Sequence, residues 1–414
     1  MDEERIVDEA ERILEASELE ELAMPVYEGL SIANIAPSVV EVLGVEAEGM
    51  LAPLAHLRSA SADAVVVLLL DSLGLYDLLE VAGGRDEYVR GLELHAITSV
   101  APTTTATALA SLYTGVAPAQ HGLLGYRLYL RELGMVVKLL EFSPVVGGYE
   151  DSLRECEIPL RHLLLCPNIC ETLTSAGVEV CTIAHRELKD TAFADLLASP
   201  SKRVGVVDLC DLVLAIPKLV KRARGALYIQ AYWHVLDAIG HEYGPGSDEY
   251  RLYLRGLLRT IFSELGERLR NLGKRTLLVI TSDHGQVVVD RGEAIRLRAG
   301  DELAKCLIAP PYGDSRFAFF LVADREGFLR ESEKLLSDSF LVLESKRILE
   351  LGILGRGEFS REAVERAGDF AAIPLGGGYI EYLYSEERGK EHVGRHGGLD
   401  PREVLVPLAI SASW

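Results

Sequence analysis

Acidic residues and histidines follow three strongly apolar segments of this chain. Asp71 comes directly after VVVLLL, Asp283 and His284 come directly after LLVITS, and Asp237 and His241 follow ALYIQAYW. If these segments are parallel β-strands, their carboxyl ends meet at one edge of the sheet, where ligands bind. Carboxylates combined with imidazoles suit zinc and, to a lesser degree, manganese or iron. The pattern therefore predicts a metal site.

Each of these residues has a simpler interpretation when it is taken alone. An aspartate at a strand end is commonly a helix N-cap, and a single histidine is more often a hydrogen-bonded polar residue than a metal ligand. The motifs DAIGH and SDHG, however, each place two potential ligands within five residues. This pairing favours metal binding.

A threonine-rich segment, VAPTTTATALASLYTG at 100–115, could supply a nucleophile. Strand-like residues give way there to small residues of high helix propensity. Thr105 would lie at or near a helix N-terminus, where the helix dipole and free N–H groups favour a phosphate or an alkoxide. The segment alone does not distinguish this role from an N-cap supplied by Thr103, Thr104 or Thr105.

The elements that must position these residues are predicted to form an α/β fold. Segments of helical period alternate with continuous apolar runs, which lie at 64–70, 96–100, 178–184, 226–232 and 275–281. Continuous apolar character is typical of strands that are covered on both faces. We predict a three-layer α/β/α sandwich around a mostly parallel sheet, completed by a last strand at 404–410.

Three regions are expected along the chain. Residues 1–60 form an N-terminal helical extension with one surface helix over 2–22, and residues 61–285 and 376–414 form the main α/β domain. Residues 286–375 form a smaller α/β inserted subdomain with a strand in RFAFFLVAD and a charged helix near 325–337. We expect this subdomain to border the substrate cleft.

The composition excludes several classes of partner. A formal net charge of −21 repels polyanions, so long nucleic acids are not expected as ligands. A small phosphorylated substrate is still compatible with this net charge, because the positive charge of a local metal site can outweigh the negative field of the whole protein. No apolar run approaches the roughly 18 residues that span a bilayer, and the acidic N-terminus is unlike a signal peptide. These features predict a cytoplasmic protein without a membrane partner.

The remaining composition bears on stability and redox state. The chain has only three Asn and three Gln, a bias reported for hyperthermophile proteins. Its six cysteines form no CxxC pair, so a thiolate metal site is not expected, and buried free cysteines are favoured over disulfides.

The motifs, taken in order, resemble the type I phosphodiesterase/nucleotide pyrophosphatase family of the alkaline-phosphatase superfamily. They are Asp71, PTTTATALASLYTG, HG at 121–122, DAIGH at 237–241, SDHG at 282–285 and GRHGG at 394–398. Each motif is weak by itself, but six in the same order over roughly 64–410 are specific. The resemblance implies an alkaline-phosphatase-like sandwich and phosphoryl-transfer chemistry.

The resemblance also assigns roles to individual residues. Thr105 lies nine residues before Thr114 and ten before Gly115, which is the family's spacing for its nucleophile, and attack by Thr105 would give a phosphothreonine. Two divalent metal ions are implied, zinc before manganese or iron. Asp237, His241 and His396 would bind one ion, and Asp71, Asp283, His284 and the Thr105 oxygen would bind the other. His396 is preferred to His392 because it has the HGG context.

One position departs from the family pattern. An asparagine about 21 residues after the nucleophile binds a non-bridging phosphoryl oxygen in the family, and this chain has Tyr126 there. Either Tyr126 or Arg127 could bind the substrate instead, as a neutral or as a bidentate charged donor. In the alternative, Tyr126 packs against the sheet edge and Arg127 is solvated.

The preferred function is hydrolysis of a phosphodiester or pyrophosphate bond in a nucleotide-like small molecule. A phosphomonoesterase or phosphonate hydrolase on the same two-metal site is the first alternative, and an arginine contact to the phosphoryl group would favour it. A non-catalytic metal-binding protein is the alternative from another class. The oligomeric state is left open.

Overall fold

The computed structural model describes residues 3–19, 21–57, 60–83, 92–156, 162–385 and 391–413. The strands, in chain order, are β1 (Ala64–Leu70), β2 (Glu93–Thr98), β3 (Arg127–Leu130), β4 (Met135–Lys138), β5 (Ser143–Pro144), β6 (Glu179–His185), β7 (Lys202–Val206), β8 (Leu227–Trp233), β9 (Thr276–Thr281), β10 (Val287–Val288), β11 (Ala294–Leu297), β12 (Tyr312–Asp314), β13 (Phe317–Phe320), β14 (Phe340–Glu344), β15 (Phe370–Pro374), β16 (Tyr379–Tyr382), β17 (Gly394–Arg395) and β18 (Leu405–Ser413).

Two helices of the described ranges precede β1, and the others lie between strands. They are α1 (Glu3–Glu15), α2 (Ile35–Val42), α3 (Leu75–Ala82), α4 (Thr105–Thr114), α5 (Pro118–His121), α6 (Ile169–Ser175), α7 (Ala192–Ala198), α8 (Leu209–Arg222), α9 (Val235–Tyr243), α10 (Asp248–Arg259), α11 (Gly266–Arg270), α12 (Glu302–Lys305), α13 (Arg325–Leu336), α14 (Ser345–Leu351), α15 (Arg361–Arg366) and α16 (Pro401–Val404). No helix within the described ranges has the length and apolarity that crossing a bilayer requires.

The main sheet has seven strands in the order β2-β18-β9-β1-β8-β6-β7. Strands β9, β1, β8, β6 and β7 pair in parallel. The last strand, β18, runs antiparallel between β2 and β9. The predicted mostly parallel sheet is therefore confirmed.

Helices cover both faces of this sheet, as the side chains of its central strand show. Val65, Val67 and Leu69 of β1 enter one buried apolar cluster, which includes residues of α2, α4, α6 and α7. The alternate β1 residues enter a second cluster, which includes residues of α3, α8 and α10. Because successive strand residues point to opposite faces, a continuous apolar run is required here. The three-layer α/β/α sandwich follows.

A second sheet combines two distant stretches of the chain. Its order is β14-β15-β13-β12-β3-β4-β5, so strands from 127–144 join strands from 312–374. A further buried apolar cluster includes Phe320 and Phe328 from this region. Residues 286–375 therefore share a sheet with residues that precede them by more than a hundred positions. The domain boundaries given above stay predictions.

The N-terminal helix is shorter than predicted. It ends at Glu15 instead of continuing to residue 22, and residues 2 and 20 of the predicted span lie outside the described residues. The Ser17 hydroxyl accepts from the Leu19 N–H at 3.3 Å and donates to the Leu22 carbonyl at 2.6 Å. This local side-chain bonding competes with helical hydrogen bonds, and the chain turns there.

Two strand predictions change in extent. The strand predicted at 96–100 lies at Glu93–Thr98, because its ladder with β18 ends where Thr98 pairs with Leu405. The strand in RFAFFLVAD is confined to Phe317–Phe320. The charged helix predicted after it is α13, and the Asp324 side chain caps it by accepting from the Gly327 N–H at 3.0 Å.

A buried ion pair joins the second sheet to the start of β18. Arg316 donates to both carboxylate oxygens of Glu403 at 2.8 and 2.9 Å, and both side chains are fully buried. Arg316 also donates to the carbonyls of Gly376 and Gly378 at 3.0 and 2.8 Å. The pair therefore fixes three segments of chain against one another.

Replacing Arg316 by Met should destabilise the protein strongly, because the Glu403 charge is left buried without a partner. We expect the free energy of unfolding, measured by urea denaturation, to fall by about 3–5 kcal/mol. The control is Arg325→Met, which breaks an ion pair with Glu344 whose side chains are 54% and 53% exposed; it should cost less than about 1 kcal/mol. Equal losses in the two variants would contradict this account.

Candidate metal centre

The three central strands of the main sheet deliver four of the predicted ligands to one edge. Asp71 follows β1, and its N–H donates to the Trp233 carbonyl at the end of β8 at 2.9 Å. Asp283 and His284 follow β9, and both are fully buried. Asp237 lies in the first turn of α9, directly after β8. The shared edge follows because β9, β1 and β8 are parallel neighbours.

The backbone between β1 and α3 is strained where it serves this edge. Ser72 has a φ of 65°, a left-handed conformation that non-glycine residues seldom adopt. This conformation allows the Ser72 N–H to donate to Asp283 Oδ1 at 3.0 Å. The strained backbone at Ser72 therefore fixes the Asp283 carboxylate, which follows β9.

His396 reaches the site from a part of the chain far away in sequence. Its Nδ1 lies 3.0 Å from the Thr103 carbonyl. The Thr103 hydroxyl accepts from the Gly397 N–H at 3.0 Å and donates to the Gly398 carbonyl at 2.8 Å. Gly397 has a φ of 120°, and a Cβ there would lie 2.6 Å from Asp314 Oδ1. The threonine segment and two glycines thus place this histidine.

The ligand atoms form two adjoining groups. In one, Asp71, Asp283 and His284 each offer a ligand atom, and these atoms lie within 4.8 Å of one another. The His284 Nε2 is 3.7 Å from Asp71 Oδ1 and 3.5 Å from Asp283 Oδ2. In the other group, Asp237 and His396 meet the same His284 within 4.8 Å. The rings of His284 and His396 stack with centroids 3.9 Å apart.

His241 adjoins the second group. Its Nε2 lies 3.3 Å from Asp237 Oδ2, while the His396 Nε2 lies 3.8 Å from Asp237 Oδ1. All six predicted carboxylate and imidazole ligands are therefore brought together, three of them around Asp237 and three around Asp283. His392 lies beside them, with its ring centroid 4.5 Å from that of His241.

The imidazoles are oriented as metal ligands are. The Nδ1–H groups of His241, His284 and His396 donate to the backbone carbonyls of Gly394, Gly285 and Thr103 at 2.8, 3.1 and 3.0 Å. These bonds fix the proton on Nδ1 and leave each Nε2 lone pair directed at the carboxylates. Such outer hydrogen bonds orient metal-bound histidines in general.

The carboxylates are held by one oxygen each. The Tyr232 hydroxyl donates to Asp71 Oδ2, and Gln286 Nε2 donates to Asp237 Oδ1 at 2.5 Å. Within the described ranges, the buried atoms Asp71 Oδ1 and Asp283 Oδ2 have no hydrogen-bond donor. Buried oxygens without donors are costly and are satisfied by a cation, so the residues present fit a metal centre.

Electrostatics supports the same conclusion. Burial, together with the nearby Asp283 and Asp237 charges, raises the pKa of Asp71 well above its usual range, and burial also raises the pKa of Asp283. Burial lowers the pKa of His284 to about 3 and that of His396 well below its usual value. The imidazoles of His284 and His396 are therefore neutral and able to bind metal, and the clustered carboxylates are best compensated by positive charge.

Thr105 is the first residue of α4, and Thr104 precedes it in an extended conformation. Its Oγ lies 3.3 Å from His284 Nε2, and the residue is 7% exposed. The first backbone N–H groups of a helix lack intrahelical acceptors, so the start of α4 favours an anion beside this oxygen.

Two cavities share Thr105. A polar cavity of about 330 Å³ contains the predicted substrate-binding residues Tyr126 and Arg127, together with Asp237 and His241. A second cavity of about 230 Å³ is mainly apolar and is lined by Leu109, Tyr113, Ile183, Phe193 and Leu197. The Tyr126 hydroxyl donates to Glu141 at 2.5 Å, so this donor is already engaged.

Several residues of the site were not identified from the sequence. Gln286 directly follows SDHG and is one of only three glutamines in the chain. Its position beside this motif is the feature of the sequence that could have identified it. Tyr232 and Arg395 carry no such signal, because Tyr232 lies within an apolar strand and Arg395 is one of many arginines. Thr103 was considered only as an N-cap, whereas its hydroxyl holds the His396 turn.

A third group of potential ligands lies away from this edge. Glu9, His56 and His95 approach one another at α1 and β2. Arg5 donates to Glu9 Oε1 at 2.5 Å and to the Leu94 carbonyl at 2.6 Å, and lies 3.0 Å from His95 Nδ1. The guanidinium already supplies the positive charge there.

The sequence profile described as "Type I phosphodiesterase / nucleotide pyrophosphatase" matches residues 74–399. No protein of curated function matches the chain. Among solved structures, murine ectonucleotide pyrophosphatase / phosphodiesterase 5 is 20% identical with a TM-score of 0.60 and covers 83% of this chain and 87% of its own. Its inactive variant in complex with AMP is 19% identical with a TM-score of 0.59, and covers the same shares of the two chains.

A phosphonoacetate hydrolase from Sinorhizobium meliloti, in complex with phosphonoacetate, is also similar. It is 17% identical with a TM-score of 0.61 and covers 88% of this chain and 92% of its own. At these identities the likeness is one of fold.

Replacing Gln286 by Leu should weaken metal binding, because Asp237 loses the donor that orients it. We expect metal affinity, measured by calorimetric titration of chelator-treated protein, to fall by about 10- to 100-fold. Gln120→Leu is the matched control, since the side-chain hydrogen bond of Gln120 within the described ranges is one that it accepts from the Ala117 N–H at the start of α5. Identical affinities for both variants would contradict the proposed role.

The stabilisation that metal confers should increase with pH. Because the pKa of Asp71 in the folded apoprotein is raised, the fold favours the protonated acid, and the apoprotein loses stability as pH rises from the unfolded pKa towards the folded one. A bound cation replaces that proton. The gain in thermal midpoint on adding zinc should therefore be larger at about pH 8 than at about pH 5; a gain independent of pH would exclude this coupling.

Proposed function

The chain belongs to the type I phosphodiesterase/nucleotide pyrophosphatase family, and from this membership we propose that it hydrolyses a phosphodiester or pyrophosphate bond of a nucleotide-like small molecule through a phosphothreonine at Thr105. The enzyme is a hydrolase, and its family depends on divalent metal ions. The substrate, the metal and the covalent intermediate are parts of the proposal.

The observation that carries the proposal is the position of Thr105 between two cavities of opposite character. A phosphodiester has two substituents on phosphorus, one that is retained and one that leaves. The apolar cavity beside Leu109, Tyr113 and Phe193 suits an uncharged organic group. The polar cavity beside Asp237 and His241 suits the departing oxygen. A monoester has one substituent and would use one cavity.

The proposed metal ligands are those predicted from the sequence. Asp237, His241 and His396 would bind one ion, and Asp71, Asp283, His284 and Thr105 would bind the other. Three imidazoles combined with three carboxylates favour zinc over manganese or iron. When bound, the two ions supply Lewis acidity, which lowers the pKa of the Thr105 hydroxyl and neutralises charge that develops on the phosphoryl and leaving oxygens.

The residues of the chain orient the Thr105 hydroxyl and surround the reacting phosphoryl group with a medium of low dielectric constant. The start of α4 directs Thr105 Oγ and the helix dipole towards the phosphoryl group. Thr105 Oγ forms the new P–O bond while the bond to the leaving oxygen breaks, and the leaving oxygen ends as a hydroxyl or a phosphate. Water then cleaves the phosphothreonine and restores the Thr105 hydroxyl, so that one water is consumed in each turnover.

The histidines of the site are not assigned as general bases. Their Nδ1 protons are donated to backbone carbonyls, and their Nε2 atoms face the carboxylates. Burial lowers the pKa of both His284 and His396, so neither would take up a proton near neutral pH. This leaves activation of Thr105 to the metal centre.

A phosphonate hydrolase or phosphomonoesterase is the second candidate. The fold likeness to phosphonoacetate hydrolase and the presence of Arg127 in the polar cavity favour it. A non-catalytic metal-binding protein is the third candidate. The gathering of the six proposed ligands at one sheet edge, with Thr105 Oγ 3.3 Å from His284 Nε2, argues against it.

Thr105→Ala should abolish phosphoester hydrolysis, because the nucleophile is lost. We expect kcat/KM for bis-p-nitrophenyl phosphate to fall by about 10³-fold or more, with unchanged thermal midpoint and at least one ion per chain retained. Thr107→Ala is the control, since Thr107 lies on the same helix and its buried hydroxyl has no hydrogen-bond partner within the described ranges.

The same assay distinguishes the three candidates. The metal-loaded wild type should cleave the diester faster than p-nitrophenyl phosphate. A preference for the monoester or for phosphonoacetate would favour the second candidate. Absence of any cleavage by zinc-, manganese- and iron-loaded protein, with Thr105→Ala leaving phosphate affinity unchanged, would favour the third.

A further inference from the structure

Two arginines from separate elements line the polar cavity. Arg127 begins β3, and Arg395 ends β17, one residue before the proposed ligand His396. Both line the same cavity as Thr105 and Asp237. Two positive charges therefore line the cavity that also contains proposed metal ligands, and neither arginine lines the apolar cavity.

The Arg395 side chain is fixed by packing, and its guanidinium group still has an N–H donor that no acceptor engages. Its guanidinium carbon lies 4.1 Å from the centre of the Tyr379 ring, and its side chain is 11% exposed. Its nearest carboxylate, Glu381, is 3.9 Å from Nη2 and is shared with Arg296 at 3.6 Å. Within the described ranges, the buried Arg395 Nε has no acceptor.

Arg127 has a similar environment. Its buried Nε also lacks an acceptor within the described ranges, and its guanidinium carbon lies 5.7 Å from the centre of the Tyr126 ring. The acidic side chains on this cavity, besides the proposed ligand Asp237, are Asp314 and Glu381. Asp314 Oδ1 accepts from the Ser315 N–H and hydroxyl at 2.6 and 3.2 Å. Among the described residues, this wall therefore carries two guanidinium groups whose Nε atoms have no acceptor.

We propose that Arg395, assisted by Arg127, binds a second anionic group that lies on the leaving part of the substrate. This inference rests on the proposed function and narrows it. The preferred substrates are phosphoanhydrides, whose leaving group is itself a phosphate, and not esters of uncharged alcohols. Arginine is suited to this role, because its planar fork donates two parallel hydrogen bonds to a phosphate or a carboxylate.

The reaction then balances as a simple hydrolysis. The anhydride P–O bond breaks, and the departing phosphate keeps both bonding electrons. One water supplies a hydroxyl group to the retained phosphoryl group and a proton to the products. Arg395 and Arg127 hold the departing phosphate and take no part in proton transfer, so they are specificity-determining residues.

The test compares two substrates with the same retained group. Thymidine 5′-triphosphate releases pyrophosphate, and the p-nitrophenyl ester of thymidine 5′-monophosphate releases an aryl alcohol. For Arg395→Met, kcat/KM for the triphosphate should fall by about 10- to 100-fold, the loss of one or two charged hydrogen bonds. The aryl ester should stay within about twofold of wild type, because it loses no charged contact.

Further variants separate recognition from structural damage. Arg127→Met should also act selectively on the triphosphate, and Arg395→Lys should recover part of the loss because the charge is kept and the fork is lost. Arg347→Met is the control, since Arg347 is 55% exposed and pairs with Glu350. Pyrophosphate as a product inhibitor should bind more weakly to Arg395→Met in proportion to the loss in kcat/KM.

Equal losses on both substrates, or no loss on either, would overturn the inference while leaving the proposed function intact. If the wild type cleaves neither substrate but hydrolyses phosphonoacetate, the proposed function fails. If Arg395→Met then loses phosphonoacetate turnover while the control Arg347→Met keeps it, the second anion is a carboxylate and not a phosphate.

Discussion

The structure depends on the mutual repulsion of buried carboxylates at one sheet edge. Asp71 and Asp283 are almost fully buried, and the nearby Asp237 adds a third negative charge. Such a cluster is unfavourable unless positive charge compensates it. Neighbouring groups fix the carboxylates so that a cation can bind them. Three imidazoles direct Nε2 at the carboxylates, the Ser72 N–H donates to Asp283, and Gln286 donates to Asp237. The site is built to hold cations, and chemistry follows from what those cations can activate.

The helix that begins at Thr105 divides the space around this centre. One side of this helix and α7 line an apolar cavity, and the turns that carry Tyr126 and His396 line a polar one. The second sheet contributes to the polar wall through Arg127 and Asp314, and the buried pair of Arg316 with Glu403 fixes that sheet to the main one. Substrate choice is therefore a property of how the two sheets meet, and not of the metal ligands themselves.

Much of the fold could be predicted because local pattern and burial agree. The run VVVLLL becomes a central strand with both faces covered, as its composition requires. The prediction was less accurate at Ser17, whose side-chain hydrogen bonds end the first helix. It was also less accurate at Thr98, where pairing with β18 ends the strand. The sharing of one sheet by residues 127–144 and 312–374 has no local signal, because strand pairing across such distances is not encoded in either segment alone.

For the site, the sequence by itself determined the ligand types and their places after strands, because an apolar run followed by Asp or His is a local property of the chain. The tertiary structure alone decided that His396 Nδ1 meets the Thr103 carbonyl, that Thr103 holds the turn of His396, and that Arg395 and Arg127 line the same cavity. These relations join residues that are hundreds of positions apart. They depend on the packing of whole elements, which fixes directions and distances that no single segment specifies.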